Sequence, residues 1–219
     1  MMDKAKNIMV IGGTGYAGSA IVREAVKRQH LVTSVSRFEP KEPTDGVKYI
    51  TSSNAVAEIT LNGFDVIVGA LSPRGSNVGT LAKTYENLRA KAAVYDTRLI
   101  LVGGFSCLRS APGEPRMIEA EGFPEGTPEE IIVEAKENLD VLNNLLKDSS
   151  GVDWLFVSPA LEFSSWTPGE NLGHYRVGDD VALFDENGKS AISGIDYARA
   201  ILDEIENPTR HRAQIGIAY

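Results

Sequence analysis

In the stretch NIMVIGGTGYAGSAIVREAVKRQ, Asn7 to Gln29, an apolar run of strand length gives way to an amphipathic run of helix length. Three glycines, Gly12, Gly15 and Gly18, stand three residues apart at the handover. Free N–H groups at the start of a helix make an anion site, and glycines let a pyrophosphate come close to the main chain. Gly12 is expected to serve the tight turn, Gly15 the close approach, and Gly18 the packing of helix on strand. A strand–turn–helix junction also uses glycine for conformational reasons alone. The strand before the glycines and the helix after them favour dinucleotide binding over a structural turn.

The same alternation continues along the chain. Period and punctuation predict strands at Ile8–Ile11, Leu31–Val35, Val47–Ile50, Phe64–Ala70, Leu99–Val102 and Trp154–Val157. Helices are expected at Ala17–Arg28, Val78–Tyr95 and Pro128–Lys147. The last opens on Thr127-Pro128-Glu129-Glu130, a cap, a first-turn proline and first-turn acids. Strands alternating with helices imply right-handed crossovers, hence an α/β fold with a doubly wound, mostly parallel sheet. After Ser158-Pro159 the rhythm changes. GENLGHYRVGDDVALFDENGKSAIS holds two short alternating runs with glycine and Asp/Asn turns, expected as a small antiparallel ribbon. IDYARAILDEIEN then reads as a helix ended by Asn207-Pro208, and AQIGIAY as a final strand. No linker is visible, so residues 1–219 read as a single domain whose part 159–219 forms the substrate side.

Charge and chemistry-bearing residues narrow the function. The net charge is -8, and Glu114 to Asp140 carries nine acids against Arg116 and Lys136. Such a surface repels nucleic acid and anionic membrane, so neither is expected as a partner. One cysteine, Cys107, excludes an internal disulfide and a CxxC clamp, and it reads as a buried, inert thiol. His30, His174 and His211 show no metal-ligand spacing, so no metal is expected. The absence of a signal peptide or a membrane-length apolar stretch points to the cytoplasm. The second strand ends in SVSRFEP. An acid at that position takes ribose hydroxyls, whereas an arginine suits a 2′-phosphate. Arg37 therefore favours NADP(H), with NAD(H) kept open by Glu39 two residues on.

Five stretches, IGGTGYAGSAI, DVIVGALSP, LILVGGFSCL, VDWLFVSPA and SGIDYARAILDEIENP, resemble in order those of the atypical short-chain dehydrogenase/reductases. More narrowly, the chain is similar to the bacterial NADH-flavin reductase group, related to biliverdin reductase B and the NmrA-like proteins. The likeness spans nearly the whole chain, and the closing IDYA…EIENP…HR…AY is its more specific part. The resemblance implies an NAD(P)-binding Rossmann domain. In it Gly12, Thr14, Gly15, Tyr16 and Ala17 hold the pyrophosphate, and Arg37 the adenosine phosphate. Ala70, Leu71 and Ser72 line the cofactor after the fourth strand. Gly104, Phe105 and Ser106 lie near the nicotinamide, and Pro159 and Ala160 close over it. The aspartate usual after the third strand is replaced by Ser52, Ser53 and Asn54.

One departure bears on the chemistry. Carbonyl-reducing relatives use a Tyr-x-x-x-Lys pair as proton donor. None of the seven tyrosines here has a lysine four residues on. Tyr85 comes nearest, with Arg89, but on the helix before the fifth strand; the Pro128–Lys147 helix offers Lys136 with Ile132 in the tyrosine's place. General acid catalysis is worth roughly 10²–10⁴-fold, so its loss points to acceptors that take hydride on a conjugated system, or to no catalysis. The histidine of the bilin-reducing relatives corresponds to Ala160, so bilin reduction is not expected. Ser106 is a candidate hydrogen-bond donor, or a strand-end serine satisfying its own backbone; His174 is a candidate proton donor. Phe163, Trp166 and Tyr175 could stack a planar acceptor or simply pack an irregular segment. Leu161–Arg176, with Gly169 and Gly173 around Asn171, reads as a lid. Two classes remain: an NADPH-dependent reductase of a planar small molecule, flavin foremost, and a non-catalytic NADP(H) sensor that binds a partner protein.

Overall fold

The computed structural model describes residues 5–53, 55–120 and 122–219. Strand β1, Asn7–Ile11, is apolar on both faces and lies at the centre of the sheet. Ile8 and Val10 face one helix layer, Met9 and Ile11 the other. The same period of two recurs in β4 (Val66–Gly69), β5 (Arg98–Val102) and β6 (Trp154–Pro159). In β6, Leu155 and Val157 join the first layer, Trp154 and Phe156 the second. With β2 (Leu31–Ser36), β3 (Val47–Thr51), β7 (Arg176–Gly178) and β8 (Ala213–Ala218), the order is β3-β2-β1-β4-β5-β6-β8-β7. All pairings are parallel except β7 on β8. This is the doubly wound Rossmann-like arrangement.

The first layer is made by α1 (Tyr16–Lys27) and α6 (Gly194–Glu206), which press Ile21, Ala25, Ile201 and Ile205 onto the sheet. The second is made by α3 (Leu81–Tyr95) and α5 (Glu129–Leu146), through Leu88, Leu142 and Leu145. Each such side chain removed from water contributes about 1.5–3 kcal/mol. Two short helices, α2 (Ala55–Glu58) and α4 (Met117–Ala120), were not marked by any periodicity, being single turns. No helix among the described residues is long and apolar enough to cross a membrane.

Several boundaries differ from expectation for local reasons. β4 starts at Val66 rather than Phe64, because Asp65 turns its carboxylate to the Asn7 amide at 2.7 Å. α3 starts at Leu81 rather than Val78, because Gly79 takes φ +76° and the Glu137 carboxylate caps the amides of Gly79 and Leu81. Thr127 does not cap α5; its hydroxyl donates to the Pro124 carbonyl at 2.7 Å and Pro128 is the N-cap. The C-terminal antiparallel pair joins β7 to β8. The second alternating run does not pair with β7, and its Val181 bridges to Arg109 instead.

Candidate functional site

The sheet order reverses at β1, which has β2 on one side and β4 on the other. In such sheets the crevice for ligands opens at the carboxyl ends of the strands flanking the reversal. Gly12 closes that end of β1 with φ +85°, and a β-carbon on it would lie 2.4 Å from the Ala70 carbonyl oxygen. A β-carbon on Gly18 would lie 2.1 Å from the Gly12 carbonyl oxygen, so glycine there lets α1 seat on the turn. Gly15 is different. Its backbone is extended, and a β-carbon would meet only the Gly12 carbonyl oxygen, at 3.3 Å. That contact is tight but far milder than those at 12, 13 and 18, so packing within the chain constrains position 15 least of the four. Gly13, which carried no expectation, is imposed by packing: its β-carbon would fall 2.3 Å from Ser34 Oγ.

The turn is fixed by the Gly12 amide on the Val35 carbonyl, 2.8 Å, and the Thr14 amide on Ser36 Oγ, 3.1 Å. Ser19 makes the first helical bond, to Gly15 O at 2.8 Å, leaving the amides of Tyr16, Ala17 and Gly18 as the orphan donors of a helix start. No side chain among the described residues caps them, and no acid stands in the first turn. The end is left positive. The Tyr16 side chain turns away from it: its hydroxyl donates to the Pro168 carbonyl and accepts from the Gly194 amide, both at 2.9 Å. Burial raises its pKa.

Beside this turn a cavity of about 360 Å³ runs between the ends of β2, β3 and β4 and the start of α3. Arg37, Ser52, Ser53 and Leu71 line it. Arg37 is half-buried, its guanidinium carbon 5.7 Å from the Phe38 ring centre. Ser52 Oγ bonds to Glu58, 2.6 Å, and Asn54 lies outside the described residues. The Leu71 amide donates to the hydroxyl of Tyr85, which lies in the core with its pKa raised by burial. Tyr85 is thus a packing residue.

At the end of β5, Gly104 leads into a short 3₁₀ turn, Phe105–Cys107. The Ser106 hydroxyl has no hydrogen-bond partner among the described residues. Phe105 meets Phe184 edge-on at 6.2 Å. Cys107 is buried, and burial pushes its thiol up to about 12. Its carbonyl accepts from the buried Arg116 and from Gln214 Nε2. Across the gap stands α5. Asn138 packs 3.5 Å from where a Gly104 β-carbon would be, and its amide donates to the Glu134 carbonyl at 2.9 Å. Glu134 accepts from Arg74 at 2.9 and 3.0 Å and lies 3.4 Å from the Ser72 hydroxyl. Lys136, by contrast, is exposed, and Ile132 is half-buried. So the polar face of α5 at this end is Glu134, Glu137 and Asn138. These three were missed in the sequence, although they share one helical stripe with Val141, Leu142 and Leu145.

The remaining expected residues divide. Pro159 and Ala160 are buried at the end of β6, Ala160 within the α1/α6 layer. Phe163 packs between Tyr16 and Tyr197, ring centres 5.1 and 4.6 Å away. Trp166 is 81% exposed. His174 is exposed, its ring 5.8 Å from that of Tyr219. The Tyr175 hydroxyl donates to Asp203 far along α6, which directs the ring away from the crevice because Asp203 also holds Arg28 at the opposite end of α1. Segment 161–176 is therefore fastened rather than hinged. Its anchor was missed: Asp196, fully buried, accepts from the amides of Leu172 and Gly173 and from the Tyr219 and Ser193 hydroxyls. The S-x-x-D spacing of Ser193 and Asp196, a capping-box variant, was its one signal.

Residues 12–208 match the family described as NAD(P)H-binding. The chain is 32% identical over 209 residues to the YwnB protein of Bacillus subtilis (strain 168), with 92% of each chain covered. Among solved structures, a "putative NADH-flavin reductase" from Streptococcus pneumoniae TIGR4 superposes with a TM-score of 0.86 at 32% identity, over 98% of this chain and 99% of that one. A "putative epimerase" from Bacteroides thetaiotaomicron superposes at 0.82, also with 32% identity, over 99% and 98%.

Proposed function

The chain belongs to the NAD(P)H-binding family, and on that premise we propose that it is an NADPH-dependent reductase of a planar conjugated acceptor, a flavin or a quinone. The observation that carries the reading is the contrast between the two walls of the crevice. One wall offers orphan amides and, at 15, the glycine of the turn that the chain's own packing constrains least. The other, α5, presents Glu134 already tied to Arg74, and Asn138, where a carbonyl reductase needs a proton donor. A conjugated acceptor makes no such demand, because water can protonate it.

In this reading the amides of Tyr16, Ala17 and Gly18 and the dipole of α1 hold the pyrophosphate, and Arg37 at the cavity rim takes the 2′-phosphate. Bound NADPH supplies a hydride. Gly104 and Phe105 leave space for the nicotinamide ring, and Pro159 and Ala160 wall it from behind. Ser106 donates a hydrogen bond to a carbonyl or ring nitrogen of the acceptor. Trp166 offers an aromatic face, and the exposed His174 relays a proton from solvent. NADPH oxidation followed in turn with FMN, FAD, a quinone and a simple ketone tests the assignment. Turnover of the conjugated acceptors with a silent ketone is expected. Fast ketone reduction would overturn it, as would tight NADPH binding with no turnover of any acceptor, which is the behaviour of a sensor.

A further inference from the structure

Tyr16 has a double position that the dinucleotide reading does not use. Its amide is the first of α1, at the cradle, while its side chain reaches across the sheet's end into the C-terminal region. The hydroxyl holds the Pro168 carbonyl and the Gly194 amide, each at 2.9 Å. Its ring meets Phe163 edge-on, with centres 5.1 Å apart. A β-carbon on Gly194 would stand 3.0 Å from the Tyr16 ring, so the start of α6 is trimmed to admit it. Pro168 and Phe163 flank Trp166, whose ring stands in solvent. On the far side of Trp166, Asp196 binds the amides of Leu172 and Gly173 at 2.8 and 3.2 Å. The segment is also held at Glu162, which pairs with Ser190 and Ile192, and at Glu170, whose carbonyl accepts from the Tyr219 hydroxyl; of these anchors the one at Pro168 belongs to the helix that opens the cradle.

We infer that Tyr16 is a positioning residue for the acceptor: it seats the 161–168 stretch, and with it Trp166, over the crevice in register with the cofactor end of α1. The role of that stretch toward an acceptor rests on the reductase reading; the seating itself does not. Tyr16 contributes to the cofactor through its amide, which any residue supplies. Removing the hydroxyl therefore acts on the segment rather than on the dinucleotide.

Two variants test this from opposite sides. Tyr16→Phe keeps the ring and removes both hydrogen bonds, while Gly194→Ala pushes the ring from its seat without demanding a forbidden backbone angle. Trp154 is buried, so iodide-quenchable tryptophan emission reports Trp166. In both variants the fast, nanosecond part of its anisotropy decay should grow by about twofold or more. The Kd of NADP⁺, which does not absorb in the tryptophan emission band, should stay within about twofold of wild type, because backbone amides make that contact. The KM for FMN should rise about tenfold, as expected for two lost hydrogen bonds that order the segment. Unchanged Trp166 anisotropy in both variants overturns the inference, whatever the kinetics. So does a loss of NADP⁺ binding beyond about tenfold with Trp166 undisturbed, which would make the side chain a cofactor ligand. If Trp166 loosens as expected but wild type reduces no acceptor, the seating stands and the reductase reading falls.

Discussion

Helix α1 ends in two different worlds. At its carboxyl end Arg28 is held by Glu24, Asp203 and Glu206 at 2.9, 2.6 and 2.7 Å. Glu206 also takes His30 Nε2 at 3.0 Å, and the Lys6 amide on Nδ1 leaves the ring proton on Nε2. At the same end of the sheet but beyond α5, in the other helix layer, Asp148, whose side chain has no exposed surface, accepts from Arg89 and Arg212. At the amino end of α1 nothing among the described residues answers the Tyr16, Ala17 and Gly18 amides, and no acid stands in the first turn. One end has its charges closed on each other; the other keeps its donors open. Stability and ligand capacity are thus separated along a single helix, which lets the open end remain unsatisfied without weakening the fold.

The strongest way to break this comparison is at the closed end of the sheet. Asp148→Ala removes the buried carboxylate that Arg89 and Arg212 share and should cost about 3 kcal/mol, roughly a 10 °C fall in Tm for a chain of this size. The Kd of NADP⁺ should remain within about twofold; loss of binding alongside the Tm would show that the ends are not separable. Next in size is Arg37→Ala at the open end. A charge-assisted contact to the 2′-phosphate is worth about 1.5–3 kcal/mol, so the variant should lose a ten- to hundredfold preference for NADPH over NADH with its Tm unchanged. Equal affinities in wild type would instead promote Glu39. Gly15→Ala sharpens the contrast further. The added methyl meets one atom of the chain, the Gly12 carbonyl oxygen at 3.3 Å, which a few tenths of an ångström relieve, so stability should change by less than about 1 kcal/mol, while NADP⁺ affinity falls about tenfold because the pyrophosphate can no longer approach. Calorimetry and titration on the same sample separate the two.

The smallest effect at neutral pH concerns Cys107, buried just after β5. Burial pushes its pKa up to about 12, so the native thiol is neutral at pH 8. Alkylation by iodoacetamide should then run about a hundredfold slower than for free cysteine until urea opens the chain. The sign for stability follows: folding favours the neutral thiol, so its contribution is intact below about pH 9 and is lost as pH rises toward 12. Rapid alkylation of native protein would mean that the core behind the end of β5 opens in the folded state.

Much of this was legible in the chain itself, and the limits are physical. Period-two runs such as Ile8–Ile11 and the stripe of Ile21, Val22 and Ala25 report on neighbours a few residues away, and they placed the central strands and α1 to within a residue or two. Gly12 and Gly18 were legible because strain and packing at a turn are local. The destination of the Tyr16 hydroxyl was not, since Gly194 is 178 residues distant. Glu137 caps a helix 56 residues upstream, and the sequence leaves Tyr175 open between stacking an acceptor and packing its segment because Asp203, 28 residues on, is invisible at its range. Side chains whose partners are remote carry no periodic signature. The candidate site is built largely from these.

The placement of β1 between β2 and β4 also governs when the crevice can come into being. Gly12 is fitted against Ala70, yet the chain between them must first travel out through β2 and β3 and return. A nascent chain that has folded only β1, α1 and β2 holds the glycine turn but no opposing wall. Joining β1 to β4 closes a long loop, and non-local parallel pairing of this kind forms slowly. The dinucleotide thus has nothing complete to bind until the middle of the sheet has zipped, so cofactor present during synthesis acts on the finished centre of the sheet and cannot template its first steps.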